Sequence, residues 1–359
     1  MFPKTGDRAP WKEVPSILGR IIPPDVPVRE FCVTDFGAEP DGLTDCKPAI
    51  DKAIEACLSA GGGKVIFSAG NYFIKGPVHL ESNTRLHLSA GSCLSFSSDP
   101  ADYLPVVLTS WEGTRLYNYS PFIYAINKTN VAITGEGMIN GYADGVFARW
   151  QAIQRKDQLL SREMNNNEVP LKDRIFGADH FLRPHLIQFY ECENILIEGV
   201  TILDSPFWCI HFIYSGNITV RDLIFASQQL NNDGIDVESC EDVLIENVHF
   251  DNRDDNIAIK SGRDAEARML QIPSRNIVVR NCYFKGHNAF AIGSEMSGGV
   301  YNIFVENCGF RGEVRNGIYL KSNKDRGGKV SGVYVRNTRF GIAGSVIQID
   351  SDYKNEGEG

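Results

Sequence analysis

The chain has 359 residues, of which 43% are hydrophobic and 23% are charged, and its formal net charge is −9. This composition is ordinary for a folded protein with a large core, and it excludes a disordered, collagen-like or simple coiled-coil chain. The acidic balance argues against a nucleic-acid partner, and no apolar run approaches the ~20 residues of a membrane helix. The nine cysteines form no C-x-x-C pair, so a zinc or iron–sulfur site is not expected.

The N-terminal part of the chain is expected to be an extension over residues 1–30, without the apolar stretch of a secretory signal. A helix is predicted within residues 44–63, with Thr44 or Asp45 as its N-cap and a glycine run as its end. Its apolar stripe would cover the open end of a larger structure. Short glycine-punctuated strands are predicted over 64–96, and a polar interval near 151–180 predicts an excursion over one face.

A short strand-like phrase recurs through the second half of the chain, and within each copy apolar and polar residues alternate before an Asn or Gly interrupts the strand. The copies occupy residues 194–202, 217–225, 242–250, 276–284, 302–310 and 332–340. A second short strand follows most copies, at residues 234–239, 256–261, 289–294, 317–322 and 346–351.

Repeating units of this length predict a stacked, all-β solenoid. Each unit is too small to close a core alone, but stacked units bury a continuous one. A β-propeller is the less suitable alternative, because its blades need about 40 residues in four antiparallel strands. We therefore predict one parallel β-helix domain over residues 31–359. Because the sequence stops directly after a strand phrase with no capping element, we expect this domain to be C-terminally incomplete.

The coils can be aligned on the serine that ends the second phrase, and two polar columns then appear beside its strand. The column seven residues before the serine contains Asn232, Asp254, His287 and Arg315, and the column six before it contains Asp233, Asp255, Asn288 and Asn316. Neighbouring coils lie about 4.8 Å apart. Three carboxylates and a histidine are therefore predicted to share one patch on the flank of the solenoid.

Clustered carboxyl groups point to acid–base chemistry. Like charges this close resist joint ionisation, so one carboxyl is expected to hold a proton while another stays ionised. Glycoside hydrolysis uses that combination of acid and carboxylate. A lone Asp in a turn usually bonds its own backbone, and a calcium site is a second alternative, although His287, Lys260 and Lys321 are poor neighbours for that cation.

Four segments in order resemble the polygalacturonases, glycoside hydrolase family 28, and most closely their bacterial exo-acting branch. They are NNDGID (231–236), RDDNIAIKSGRD (253–264), GHNAFAIGSEMSGGV (286–300) and NGIYLKSNKDRGG (316–328). The segment FGAEPDGLTDC (36–46) also resembles the entry segment of the family. The resemblance implies a right-handed parallel β-helix that hydrolyses α-1,4-linked galacturonan with inversion.

The resemblance also implies roles for single residues. Asp254 would be the general acid, Asp233 and Asp255 would activate water, His287 would hold the protonation state of the acid, and Lys321 would bind a substrate carboxylate. Further candidates for substrate binding are Tyr319, Asn232, Lys260, Arg315, Arg263 and Glu295.

Tyr319 is the main departure from the family pattern, because it stands where the family has Arg. Arginine offers a bidentate fork to a carboxylate, whereas tyrosine offers one hydroxyl and a flat ring. The substrate is therefore either plain galacturonan or a decorated pectin such as a xylogalacturonan or rhamnogalacturonan. Asn232 and Asn288 are smaller departures, at positions where the family has Thr and Gly.

The expected partner is a pectic oligo- or polysaccharide, with no metal, cofactor, nucleic acid or membrane. We expect a monomer, secreted or periplasmic by family resemblance. A pectate lyase, which eliminates rather than hydrolyses, and a non-catalytic carbohydrate-binding solenoid are the alternatives from other classes.

Overall fold

The computed structural model describes residues 9–142 and 145–353. Over these ranges the chain winds as a right-handed parallel β-helix, and its coils contribute strands to three long sheets. Residues 1–8 of the predicted extension and residues 354–359 of the final segment lie outside the described residues. The prediction of a parallel β-helix is confirmed.

The largest sheet has ten strands, and its last six come from the six recurring phrases. The ten strands are Glu30–Cys32, Gly63–Phe67, Thr84–Leu88, Thr129–Gly135, Glu193–Glu198, Gly216–Arg221, Glu241–Glu246, Ser274–Arg280, Val300–Glu306 and Val330–Arg336. Equivalent residues of successive phrases pair in parallel register, as Ile195 does with Ile218 and Ile218 with Val243. These three side chains are fully buried. The apolar positions of the alternating pattern therefore form the inward face of the coil.

The second phrases lie in a nine-stranded sheet, which carries the predicted site. Its strands are Val78–His79, Ile123–Ile126, Ile187–Tyr190, Ile210–Ile213, Ile235–Glu238, Ile257–Lys260, Tyr283–Ile292, Gly309–Lys321 and Ile342–Asp350. A six-stranded sheet completes the coils with Asp41–Asp45, Gly70–Ile74, Ser92–Phe96, Met138–Asn140, Thr201–Ile202 and Ile224–Phe225.

Residues with positive φ separate the first sheet from the next segment of each coil. This conformation is uncommon outside glycine, and Asn and Asp adopt it more readily than other residues. The residues at this corner are Gly199, Asp222, Asn247, Asn281, Asn307 and Asn337. The interruption predicted within each phrase is therefore a turn with a defined backbone conformation.

Two helices lie near the N-terminus. Helix α1, Val14–Arg20, packs on the outside of the ten-stranded sheet, where Trp11 meets the ring of Phe304 at 5.3 Å. Helix α2, Lys47–Ser59, buries the predicted apolar stripe. Its start was predicted slightly too early, because the carboxylate of Asp45 accepts the Lys47 N–H from outside the helix and Cys46 occupies the cap position.

Two excursions from the coils cover the outer face of the nine-stranded sheet. One is an antiparallel hairpin, Val107–Trp111 and Thr114–Asn118, joined by the strand Ile175–Phe176. The other carries helix α3, Val146–Trp150, and helix α4, Arg155–Asn166. A further helix, α5, spans Asp264–Leu270, and the 3₁₀ turns are Ala9–Lys12, Val33–Phe36, Pro100–Tyr103 and Leu171–Asp173.

None of the helices in the described ranges combines the length and the apolar content that crossing a membrane requires.

Candidate active site

The first predicted polar column forms a ladder of contacts from coil to coil. The buried Oδ1 of Asn232 accepts hydrogen bonds from the backbone N–H groups of Arg253 and Asp254, at 3.0 and 3.1 Å. His287 Nδ1 lies 3.7 Å from Asp254 Oδ1, and Arg315 Nη1 lies 3.1 Å from His287 Nε2. Asn232 therefore orients the turn that presents Asp254, and it is too deeply buried to touch a substrate in this conformation.

Gly286 determines where His287 emerges from its strand. It has a φ of +111°, and an added Cβ would lie 2.0 Å from the carbonyl oxygen of Asn252. A residue with a side chain would meet both backbone strain and a clash with the neighbouring coil. The glycine before the histidine is thus required by the close approach of two coils.

The second predicted column forms a ladder through its amide side chains. Asp255 Oδ1 accepts a hydrogen bond from Asn288 Nδ2 at 2.6 Å, and Asn288 Oδ1 accepts one from Asn316 Nδ2 at 2.7 Å. The other carboxylate oxygen of Asp255 pairs with Lys321 Nζ at 2.6 Å. Asp255 is completely buried by these contacts, so its charge is compensated from the next coils.

Lys260 lies at the centre of the buried charges. Its Nζ lies 3.0 Å from Glu295 Oε2, 3.5 Å from Asp236 Oδ1 and 3.9 Å from Asp233 Oδ2. It also lies 4.4 Å from the ring centre of Trp208, which is a cation–π contact. Because three buried carboxyl groups share this ammonium, they cannot all be ionised at low cost.

Helix α4 closes one side of the site with a polar face. Gln158 Nε2 and Arg162 Nη2 both donate to Glu112 Oε2 at 2.8 Å, which joins the helix to the hairpin. The amide of Asn165 donates to the carbonyl oxygen of Arg263 at 3.1 Å. The helix therefore brings an additional guanidinium group to the carboxyl cluster.

A pocket of about 200 Å³ opens between α4 and the two ladders, and both Asp233 and Asp254 face it. It is smaller than the roughly 300–1,000 Å³ of pockets for drug-sized ligands, so it suits one sugar-sized group. Its lining residues are Glu112, Gln158, Arg162, Trp208, Asn231, Asp233, Asp254, Lys260, Ser294, Glu295, Lys321 and Tyr353. A larger depression of about 460 Å³ beside Arg268 and Lys329 has no carboxyl groups in its lining.

The two carboxyls that face the pocket differ in proton affinity. Burial, reinforced by the negative charges of Asp236 and Asp254, raises the pKa of Asp233 well above its ordinary value. Burial also acts to raise the pKa of Asp254, but contact with His287 and the charge of Lys321 outweigh it and leave that pKa below its ordinary value. Without substrate Asp233 therefore binds a proton more tightly than Asp254, which is the reverse of the order that an acid role for Asp254 requires.

Asp254, Asp255 and His287 also form a set with metal-ligating chemistry, since their ligand atoms lie within 4.8 Å of one another. Carboxylate oxygens are suitable for a divalent cation. One oxygen of Asp255 is already held by the Lys321 ammonium at 2.6 Å. A cation there would have to displace or repel that ammonium, so the arrangement fits an ion pair better than a metal.

The remaining candidates for substrate binding are partly engaged within the protein. Arg263 is fully buried and pairs with Glu295 at 2.7 Å. Tyr319 is 8% exposed, and its hydroxyl donates to Asp350 Oδ2 at 3.3 Å. In this conformation the guanidinium group of Arg263 is engaged in an ion pair with Glu295, and little of the Tyr319 ring is exposed to a sugar. Lys321, Lys260 and Glu295 do face the pocket.

Sequence reasoning missed several charged residues of the site. Asp236 and Glu238 were not predicted as site residues, yet both are buried, and Ser110 of the hairpin donates to Glu238. Neither carboxyl oxygen of Asp236 has a hydrogen-bond partner among the described residues. Glu238 contacts His211 Nε2 at 2.8 Å, and burial raises the pKa of Glu238 to about 8. Charged residues on adjacent strands, opposite a long excursion, are the signal that could have identified them.

Two family models match the chain. The model described as glycosyl hydrolases family 28 matches residues 108–359, which is well over half of the chain. The model described as rhamnogalacturonase A/epimerase, pectate lyase-like, matches residues 31–90.

Curated relatives include a probable polygalacturonase from Vitis vinifera, which is 30% identical over 316 residues, or 85% of this chain and 59% of the relative. An exo-poly-alpha-D-galacturonosidase from Dickeya chrysanthemi is 28% identical over 345 residues, or 85% of this chain and 54% of the relative. The chain thus spans little more than half the length of these two proteins.

Solved structures include an exopolygalacturonase from Thermotoga maritima, which is 40% identical with a TM-score of 0.92 and matches 97% of this chain and 81% of that one. A polygalacturonase from Erwinia carotovora is 25% identical with a TM-score of 0.72, over 93% of this chain and 82% of that one.

Proposed function

Because the chain belongs to glycoside hydrolase family 28, we propose that it hydrolyses the α-1,4-galacturonosidic bonds of pectin and that it acts from a chain end. The observation that carries the proposal is the pair Asp233 and Asp254, which come from neighbouring coils, face one pocket and differ in proton affinity. Hydrolysis of a glycosidic bond needs one carboxylic acid and one carboxylate in such a space.

Asp254 is proposed as the general acid, which protonates the leaving oxygen. Its side chain keeps 29% of its surface exposed, and a bound sugar would cover that surface. Covering the carboxyl and placing a substrate carboxylate nearby both favour its protonated form. Substrate binding would thus raise the pKa of Asp254 and supply the proton where the bond breaks.

Asp233 and Asp255 are proposed to activate the attacking water, with inversion at the anomeric carbon. Asp233 faces the pocket directly, whereas Asp255 is held behind it by Lys321 and Asn288. As substrate binding moves a proton towards Asp254, Asp233 becomes free to act as the base. His287 would stabilise the carboxylate of Asp254 between turnovers.

Recognition of a uronic acid is proposed to rest on the cations of the pocket. Lys321 and Lys260 come from the β-helix, and Arg162 comes from α4. An acidic protein needs such local positive charge to hold a polyanion. Glu295 and Arg263 would hold Lys260 in place through their ion pairs.

Action from a chain end is supported by the wall that α4 and the hairpin form on one side of the pocket, through Glu112, Gln158 and Arg162. The names of relatives do not decide this point, because an endo-polygalacturonase from Pectobacterium carotovorum is also 28% identical. A closed end would admit a terminal sugar and exclude a continuing chain.

A decorated or mixed pectin is the second candidate substrate, and Tyr319 is the residue that favours it. Its ring lies 5.6 Å from Lys321 Nζ, where the family pattern would place a second cation. Fewer cations at this point would favour a backbone with fewer carboxylates, such as a rhamnogalacturonan.

We also propose that the protein is secreted or periplasmic, because its polymer substrate belongs to plant cell walls. A monomeric state stays a prediction.

The experiment that tests the reaction class is digestion of polygalacturonate with and without a chelator. We expect new reducing ends, no ultraviolet-absorbing unsaturated product and no effect of the chelator. An unsaturated product that disappears with the chelator would instead identify a calcium-dependent lyase.

A further inference from the structure

Arg315 contacts the ring of His287 from the next coil of the β-helix. Its Nη1 lies 3.1 Å from His287 Nε2. A guanidinium group carries five N–H donors and no acceptor, and it remains protonated in proteins. The contact therefore requires a lone pair on Nε2, which places the single proton of a neutral His287 ring on Nδ1.

Asn288 presents a competing donor to the other ring nitrogen, since its Nδ2 lies 3.1 Å from His287 Nδ1. The orientation of this amide is fixed, because Nδ2 donates to Asp255 and Oδ1 accepts from Asn316. Two donor groups thus face a ring that has one lone pair when neutral. A charged donor makes the stronger bond, and the Asn288 amide already has an acceptor in Asp255.

A proton on Nδ1 would face the proposed acid. His287 Nδ1 lies 3.7 Å from Asp254 Oδ1, and the same oxygen accepts the backbone N–H of Asp255 at 3.0 Å. A small approach of the ring would complete a hydrogen bond. Both contacts involve Oδ1, so the other oxygen of Asp254 would be the one that serves the substrate.

We propose that Arg315 is a positioning residue that selects the Nδ1–H tautomer of His287 and thereby holds Asp254 in its working orientation. The consequence for catalysis rests on the proposed function, whereas the choice of tautomer does not. The charged groups that face His287 are Asp254, Asp255 and Arg315. Arg315 is an exposed side chain that the sequence offered as a substrate cation, and the geometry directs it to the histidine instead.

The test is nitrogen NMR of the substrate-free protein labelled with ¹⁵N-histidine, in which the shifts of the two ring nitrogens identify the tautomer. The His287 signals are assigned by their loss in His287→Gln. We expect the Nδ1–H form in the unsubstituted protein, loss of that form in Arg315→Met, and its recovery in Arg315→Lys. An unchanged tautomer in Arg315→Met would overturn the proposal.

Kinetics on polygalacturonate provide the second readout. Loss of one charge-assisted hydrogen bond predicts a fall in kcat on the order of tenfold for Arg315→Met, with little change in KM and recovery in Arg315→Lys. Arg311→Met is the matched control, because Arg311 lies on the same strand and packs on the ring of Tyr283. A raised KM with an unchanged tautomer would show that Arg315 binds substrate and would refute the positioning role.

Failure of the proposed function would look different. A protein that shows no turnover of polygalacturonate, but whose tautomer changes in Arg315→Met, would confirm the hydrogen-bond assignment and contradict the proposed substrate.

Discussion

Asp254 combines partial exposure with close contacts to His287 and to the backbone of Asp255. Replacing it by asparagine keeps the volume of the side chain and an oxygen that can accept the Asp255 N–H, but it removes the proton. We predict that Asp254→Asn lowers kcat by roughly 10²–10⁴-fold, as expected for loss of a general acid. Initial rates of reducing-end release, with thermal unfolding as the check on folding, measure this effect.

The matched control is Asp222→Asn. Asp222 has a φ of 59° at the corner of a coil, and asparagine tolerates that conformation at least as well. Activity close to that of the unsubstituted protein is expected. Turnover retained in Asp254→Asn would exclude Asp254 as the acid.

Asp236 provides a test of the pH dependence. Burial raises the pKa of Asp233, and the charge of Asp236 is the next cause. In the substrate-free protein Asp233 holds the proton that Asp254 needs, so kcat/KM should fall as the pH rises through the pKa of Asp233. Asp236→Asn removes a negative neighbour, lowers that pKa, and should move the alkaline limb of kcat/KM to lower pH. A limb that stays in place or moves to higher pH would contradict this coupling.

The residue-level columns were predictable because the common serine sets the register of every coil. This alignment places Asp254, His287 and Arg315 in one column, and in the structure neighbours in that column are in contact. The alignment could not show that Tyr319 and Asp236 are buried. Alternation identifies the side chains that point away from the core of the coil, but a second layer that covers them lies far away in sequence.

Helix α4 is the element that supplies this second layer, and its sequence gives little sign of it. Most helices bury an apolar stripe, whereas the buried side chains of α4 are Asp157, Ser161, Arg162 and Asn165. They make polar contacts with neighbouring groups, as Arg162 Nη2 does with Glu112. Hydrophobic periodicity therefore predicted only a polar excursion at this place.

Arg162 allows the role of α4 to be measured. A charge-assisted hydrogen bond to a substrate carboxylate contributes about 1.5–3 kcal/mol, so Arg162→Met should lower kcat/KM on short galacturonate oligomers by roughly 10–100-fold. Lys156→Met, an exposed change on the same helix, is the matched control. Equal activity of the two variants would show that α4 does not bind the sugar.

The hairpin over the nine-stranded sheet creates a pH-dependent contribution to stability through Glu238. Burial raises its pKa to about 8 from an ordinary value of 4.5, so the folded protein binds this proton more tightly than the unfolded chain. The stabilisation is complete below the unfolded pKa and is lost as the pH rises towards 8. His211, whose pKa burial lowers to about 3 from 6.5, opposes it only below about pH 6.5.

Glu238→Gln keeps the shape of this side chain and removes its titration. Between pH 6.5 and 8, the unsubstituted protein should lose thermal stability while Glu238→Gln stays nearly constant, a difference of about 1.5–2 kcal/mol. Glu136→Gln, an exposed change, is the control and should follow the unsubstituted protein. Parallel pH profiles for all three proteins would contradict the assigned proton.

At the scale of the whole molecule, the β-helix positions chemistry by stacking. Successive coils bring side chains from residues 233, 254, 255 and 287 to one flank, and the excursions add a wall to one side of the pocket. The stack was predictable from repeats, because each phrase carries its own inward face and its own turn residue. The wall that α4 and the hairpin add to the pocket was not predictable from the sequence, because it depends on contacts between α4, the hairpin and the coils.

The length of the products formed from polygalacturonate tests the central claim that this pocket hydrolyses galacturonan from a chain end. We predict that a short galacturonate accumulates from the earliest times, with few fragments of intermediate length and a slow fall in viscosity. An early ladder of intermediate fragments, or no cleavage by a folded protein, would contradict the account.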